Sequence, residues 1–225
     1  MVNRRKDSKR SSQPVGGEDP SAAASPPRII GGTLRGRKLL YAVPDPRTRP
    51  MKDRTREAVF NLLGYDVQGR HAIDLFAGTG ALAIEAISRG TPRATIIEQH
   101  FPTANTIRRN VAELGVADRV EVLAASAFVW AVQPTADASL PWLVFCSPPY
   151  AFFRDRQDQM MAMLRELFVR APADSVFVVE SDKLFDVRLL PRPDDWDIRE
   201  YPPAVVAICR VGEVRSTADP TALTA

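Results

Sequence analysis

Two short stretches of the 225-residue chain hold residues whose types and spacing could do chemistry. In the first, an apolar run closes on Asp74-Leu75-Phe76-Ala77-Gly78-Thr79-Gly80 and a helical pattern starts at once. Glycines at such a junction let the backbone turn sharply and come close to a ligand, while the helix start offers free N–H groups. A nucleotide-like cofactor is expected there, flanked by Phe76, Ala77, Gly78, Thr79 and Gly80, with Asp74 holding the turn or reaching an amino group of the cofactor. Glu98 closes the next apolar run, 18 residues after Gly80, where a carboxylate suits ribose hydroxyls. Because Gly78-x-Gly80-x-x-Ala83 also fits G-x-G-x-x-A, this turn alone does not separate NAD from S-adenosylmethionine. Ser126, after the third apolar run, is a candidate helix N-cap. The second stretch is Ser147-Pro148-Pro149-Tyr150, a stiff, aromatic-tipped loop that follows the apolar run WLVFC.

The elements that must position these residues follow from the pattern of the chain. After Gly69, near-continuous apolar runs at 71–76, 94–98, 119–123, 142–146 and 175–180 alternate with helical stretches near 80–89, 102–114, 125–132 and 155–170. Such runs separated by helices predict a parallel sheet covered on both faces, with right-handed crossovers. The glycine turn, Glu98 and the Pro-Pro loop then share the carboxyl edge of the strands. WDIREY and AVVAICRV, split only by Pro202 and Pro203, predict an antiparallel hairpin at the sheet edge. Upstream, RIIGGTLRGRKLLYAVP reads as a small hairpin displaying Arg28, Arg35, Arg37 and Lys38, and the stretch ending at Gly64 as a helix of about three turns. Residues 1–27 carry too few large apolar side chains to offset ordering entropy and are expected to be a disordered basic tail. An extension over 28–66, a main domain over 67–213 and a frayed tail over 214–225 complete the division.

The Pro-Pro loop resembles that of amino-methyltransferases, which reads Asp/Asn-Pro-Pro-Tyr/Phe. In such a loop a side-chain oxygen and the carbonyl of the first Pro grip the amine N–H groups, localising a lone pair otherwise spread into the base. The aromatic residue stacks on that base. Together with Arg28-Ile29-Ile30-Gly31-Gly32, Arg35-Gly36-Arg37-Lys38-Leu39, the run from Thr48-Arg49-Pro50 to Asn61, Asp74 to Ala81 and Val179-Glu180-Ser181, the chain resembles the RsmD family over residues 28–211. The resemblance implies a Rossmann-like class I methyltransferase with a mostly parallel seven-stranded sheet. It further implies S-adenosyl-L-methionine as donor and the exocyclic N2 of one guanine of small-subunit rRNA as acceptor. Ser147, Pro148, Pro149 and Tyr150 are its expected catalytic loop, and Ser126 stands where relatives often place a polar side chain against the adenine amino group. Ser147 stands where the family has Asp or Asn, and its hydroxyl lies nearer the backbone and accepts less strongly than a carboxylate.

Charge supports a polyanionic partner. Residues 1–57 hold 14 basic and 6 acidic side chains, and the remainder 16 and 21, so the net +3 averages a basic quarter and an acidic body. Arg49, Lys52 and Arg56 recur at spacings of three and four, which predicts one helical face that, with Arg28, Arg35, Arg37 and Lys38, contacts RNA phosphates. Arg54 and Glu57 are candidates to brace that helix. No window reaches the ~18 apolar residues of a membrane span, and no secretory h-region follows the N-terminus, so a cytoplasmic protein is expected, with monomer as the default; the resemblance implies rRNA or an assembling 30S subunit as its partner. Cys146 and Cys209 lie in apolar runs as buried thiols, and no metal site is expected. The alternatives are a methyltransferase for another base amine such as adenine N6, a non-catalytic RNA-binding assembly factor, and an NAD-dependent oxidoreductase.

Overall fold

Burial on both faces is what makes strands continuously apolar, and the central strands obey it: β1 (His71–Asp74) and β4 (Trp142–Cys146) are buried at every residue. They sit mid-sheet, in the order β3-β2-β1-β4-β5-β7-β6. β2 (Arg93–Ile97), β3 (Val120–Leu123) and β5 (Val176–Asp182) run parallel to them, whereas β7 (Ala204–Arg210) pairs antiparallel with both β5 and β6 (Trp196–Tyr201). The computed structural model describes residues 26–41, 51 and 53–212. The expected tails, but for Pro26 and Pro27, and the basic residues Arg49 and Lys52 therefore lie outside the described residues.

Strand alternation sorts the core into two layers. Ile96, Phe145 and Val178 face α1 (Asp53–Leu63), α2 (Ala81–Ser88) and α3 (Phe101–Glu113) through Phe60, Ile84, Ile87 and Ile107. Ile97, Val144 and Phe177 face α4 (Ala127–Trp130), α5 (Phe152–Asp155) and α6 (Gln157–Arg170) through Trp130, Phe153, Met160 and Leu164. Cys146 and Cys209 are buried thiols, as their apolar context predicts. No helix among the described residues is long and apolar enough to cross a membrane.

The N-terminal segment is the expected small hairpin in minimal form. One antiparallel bridge joins Arg28 and Lys38, flanked by hydrogen bonds from Ile29 N–H to Arg37 O (2.9 Å) and Leu39 N–H to Pro27 O (2.8 Å). The segment is held by α2 as well as by its own pairing. Glu85, fully buried in α2, accepts the Ile30 and Gly31 N–H groups at 2.7 Å each and Arg89 Nε at 2.8 Å. Arg56 Nε lies 3.8 Å from the same carboxylate. One turn on, Ser88 accepts Leu34 N–H through Oγ (2.9 Å) and Thr33 N–H through its carbonyl (2.8 Å). Gly32 has φ +73°, and a Cβ there would stand 1.9 Å from Ser88 O, so only glycine lets the chain come this close.

Arg56 thus corrects the expected phosphate-binding face. Its side chain is 1% exposed, and it donates to Asp53 Oδ1 (3.0 Å) and to the Arg28 carbonyl. It shares the inward stripe of α1 with Val59, Phe60 and Leu63, where no phosphate reaches. The bracing role expected of Arg54 and Glu57 falls to Arg56, while those two are exposed.

Candidate functional site

The strand order reverses between β1 and β4, and at such a switch point the loops leaving neighbouring strands splay apart and open a crevice. Here the crevice is a cavity of about 510 Å³ walled by the glycine turn, Glu98, the start of α3, the Pro-Pro loop, Glu180 and the turn between β6 and β7. Phe76, Ala77, Gly78, Thr79, Glu98, Ser147, Pro148, Pro149 and Tyr150 all line it, so two motifs almost seventy residues apart meet at one site.

The glycine turn is pinned from two strands. Ala77 N–H bonds Ile97 O (3.1 Å) and Gly80 N–H bonds Ala77 O (2.8 Å). Gly80 has φ +74°, and a Cβ there would meet Ile107 of α3 at 2.9 Å. Glu98 is oriented by two backbone donors, Gly78 N–H at 2.9 Å and His100 N–H at 2.7 Å. A carboxylate has about four lone-pair sites, so two remain for a vicinal diol. Phe76 packs edge-on against Phe128 (5.7 Å) and Phe152 (6.0 Å), giving that end of the cavity an aromatic wall. The diol acceptor and the apolar, aromatic wall fit an adenosine-bearing cofactor.

Three expected cofactor contacts, Asp74, Gly80 and Ser126, are not on the wall; the open side of Gly80 faces Ile107 of α3 instead. Asp74 is fully buried behind the turn, and neither carboxyl oxygen has a hydrogen-bond partner among the described residues. As the last residue of β1, paired to Ile96 and Phe145, it is still inside the sheet layer. Burial pushes its pKa up to about 7, with the Ala83 N–H in the first turn of α2 pulling the other way. Ser126 sits at the N-cap of α4 with extended backbone, so Ala125 and Ala127 face the cavity and Ser126 turns the other way. It caps α4 through its carbonyl, which accepts Val129 and Trp130 N–H, and not through its hydroxyl.

The Pro-Pro loop leaves β4 and enters α5. Phe152 N–H occupies the Pro149 carbonyl (2.8 Å), whereas no hydrogen bond among the described residues engages the Pro148 carbonyl. Ser147 Oγ and Tyr150 Oη both donate to Glu180, Tyr150 at 2.9 Å. Burial, then the Glu180 charge, pushes the Tyr150 phenol well above its ordinary range. Burial likewise raises the Glu180 carboxyl, with the two hydroxyls opposing.

Sequence reasoning leaves Glu180 without a role, although one signal is present: like Glu98, it is an acid that closes an otherwise apolar run. His100 at the N-cap of α3, Thr103 and Thr106 within it, and the Tyr201–Ala204 turn also line the cavity, and no motif points to them. Arg28, Arg35, Arg37 and Lys38 are all exposed. The chain just beyond Lys38 leads to the cavity, because Asn110 clasps Leu40 by both N–H (2.7 Å) and carbonyl (3.1 Å), placing Leu40 and Tyr41 on the wall.

Comparison with known proteins gives this geometry a family. Residues 27–200 match the family described as Conserved hypothetical protein 95. The ribosomal RNA small subunit methyltransferase D of Haemophilus influenzae is 31% identical over 172 residues, 76% of this chain and 85% of that protein. Its Escherichia coli namesake is 40% identical over 124 residues, 55% of this chain, and the match spans only 60% of that protein. A solved structure of a hypothetical protein from Thermus thermophilus superposes with TM-score 0.64 at 27% identity, covering 82% of this chain and 99% of that one. The chain belongs to the Conserved hypothetical protein 95 family, the RsmD family of Rossmann-like methyltransferases.

Proposed function

We propose that the protein methylates the exocyclic N2 amine of a guanine in small-subunit rRNA, as a monomer, on free rRNA or an assembling 30S subunit. As a member of this family the chain is an S-adenosylmethionine-dependent methyltransferase. The observation that carries the finer reading is the meeting of the Pro-Pro loop with the glycine turn and Glu98 around one cavity. S-adenosylmethionine, when bound, supplies a methyl group on an electrophilic sulfonium. Glu98 would hold the ribose diol, the Gly78 region the remaining polar atoms, and Phe76 the adenine.

On the acceptor side, Ser147 Oγ and the open Pro148 carbonyl accept the two amine N–H groups. That grip turns the nitrogen lone pair out of the ring plane and toward the donor. Tyr150 stacks on the base, which must leave its helix or loop to enter. Arg28, Arg35, Arg37 and Lys38 contact phosphates and orient the RNA without choosing the base; Arg49 and Lys52, outside the described residues, are assigned by sequence spacing alone. Residues 28–66 act as the RNA-binding extension and 67–213 as the methyltransferase domain.

Purified protein incubated with unmodified small subunits and labelled donor, followed by nucleoside mass spectrometry and mapping, tests this. The expected product is N2-methylguanine at one site. N6-methyladenine would move the reading to the other amine, and donor binding without transfer to any RNA would favour an assembly factor.

A further inference from the structure

Glu180 is 5% exposed, lies on the cavity wall, and has no Lys or Arg partner among the described residues. A buried carboxylate normally requires a cation or several hydrogen bonds. Here its visible donors are two hydroxyls, Ser147 Oγ–H on Oε2 and Tyr150 Oη–H on Oε1. Each hydroxyl has one proton to give. With both protons committed to Glu180, each oxygen presents only lone pairs to the cavity.

We propose that Glu180 is a positioning and specificity-determining residue that turns Ser147 and Tyr150 into obligate acceptors, so that this wall takes an N–H donor such as an exocyclic amine and rejects a base edge presenting a carbonyl or ring nitrogen. The identity of the guest as a base amine rests on the reading above; the state of the hydroxyls does not. The same arrangement answers the departure at Ser147. The hydroxyl does not act alone, because a carboxylate one hydrogen bond behind it raises the electron density on its oxygen. Tyr150 gains a second anchor, since its ring angle is fixed by the phenol as well as by the backbone.

The surroundings leave few competing charges. Asp182, two residues along β5, is paired with Arg154 at 3.0 Å. The strand neighbours bring Val206 of β7 opposite Glu180, and Cys146 of β4 opposite Val179. The Asp74 carboxyl lies behind Cys146, near enough to raise that thiol. Tyr150 and Ser147 remain the titratable and polar groups in direct contact with Glu180.

Two measurements test the inference. In the protein alone, carbon-13 NMR of the glutamate carboxyls follows Glu180 through a pH titration. Removing a donor from a carboxylate favours its protonated form, so Ser147→Ala and Tyr150→Phe should each move the Glu180 midpoint upward; a midpoint unmoved by both overturns the arrangement. In methyl transfer to small subunits, Glu180→Gln keeps the shape but has one acceptor and one donor end, so one hydroxyl must reverse and aim its proton into the cavity. The expected result is a fall in kcat of about 10²-fold, the scale of one misplaced transition-state hydrogen bond, with KM for RNA and donor affinity within about twofold. Placed on Ser147→Ala, Glu180→Gln should cost clearly less than on the wild type, because its route through Ser147 is gone. Equal costs in both backgrounds, or a Glu180→Gln enzyme as fast as the wild type, overturn the inference while leaving the methyltransferase reading intact. A wild type that modifies no RNA amine removes that reading and the amine guest with it. Should Glu180→Gln fail to fold, the titrations of the other two variants still decide the hydroxyl question.

Discussion

Two regions of the molecule each bury a glutamate against a family motif, and they use it in opposite ways. Where the N-terminal segment docks on α2, Glu85 collects two backbone N–H groups and two arginines from three parts of the chain. Its acceptors are filled and none of it is exposed. At the Pro-Pro loop, Glu180 meets two hydroxyls, no cation among the described residues, and a cavity. The first arrangement fixes a backbone; the second, on our proposal, conditions a surface for a ligand. A buried acid is thus structural or functional according to whether its neighbours exhaust it, and burial alone does not tell which.

The contrast predicts that the two sites fail differently. Glu85→Ala strands two arginines and two amides in the interior, and removing one partner of a buried ionic cluster costs about 3–5 kcal/mol. Denaturant unfolding should show that loss, and amide exchange should show residues 29–34 opening first. Donor affinity of the protein that remains folded should be nearly unchanged. An intact N-terminal segment in the variant would mean that Glu85 is not what holds it.

Asp74 stands between these cases, buried like Glu85 but without hydrogen-bond partners among the described residues. Its native pKa of about 7 lies above the ordinary 3.8. Between those values the native state binds the extra proton, so stability falls as pH rises from about 4 to about 7. The full cost above that range is on the order of 4 kcal/mol. Asp74→Asn removes the titration, and its stability should decline less than the wild type's between pH 5 and pH 8. Parallel declines would show that Asp74 stays ionised or finds a partner.

Tyr150→Ala should lose the stacking of one base, worth about 1–3 kcal/mol, or roughly 5- to 150-fold in kcat/KM for RNA. Because Tyr150 is a cavity-wall residue rather than a core one, its melting temperature should shift little. Rates equal to the wild type would remove the stacking role and leave Ser147 as the loop's working side chain.

How far the sequence discloses these sites depends on what kind of signal each residue sends. The strands read almost directly, since an apolar run bounded by Gly, Pro and charge fits little else than a buried strand, and both ends of WLVFC coincide with β4. The docking segment reads rightly as a small hairpin, but what it docks on does not show, because Glu85 and Ser88 lie more than fifty residues away and Gly and Arg report only local turn and charge. Arg56 reads as a phosphate ligand because a spacing of three and four says which residues share a face but not what the face meets. Its company, Val59, Phe60 and Leu63, carries the better signal. At the site, Gly78, Glu98 and the Pro-Pro loop are legible from type and position. Asp74 and Ser126 are not, because a single residue's rotation in or out of a wall is fixed by the local backbone. Glu180 is visible as an acid closing an apolar run, yet its meaning requires seeing Ser147 and Tyr150 across from it.

The smallest effect separates the basic residues that the sequence groups together. Arg35, Arg37 and Lys38 are exposed and adjoin the chain that leads into the cavity through Leu40 and Tyr41. Replacing all three with Ala should weaken RNA binding at low salt and lower the slope of log affinity against log salt by about 2, since each phosphate contact contributes about 0.7–0.9. Turnover at saturating RNA should hold, because phosphates orient the substrate without touching the base. Arg56→Ala, by contrast, should lower stability and leave the slope where it was, since a side chain 1% exposed releases no counterion. A slope that responds to Arg56 and not to the exposed three would reverse the assignment and place the RNA on the α1 side of the segment.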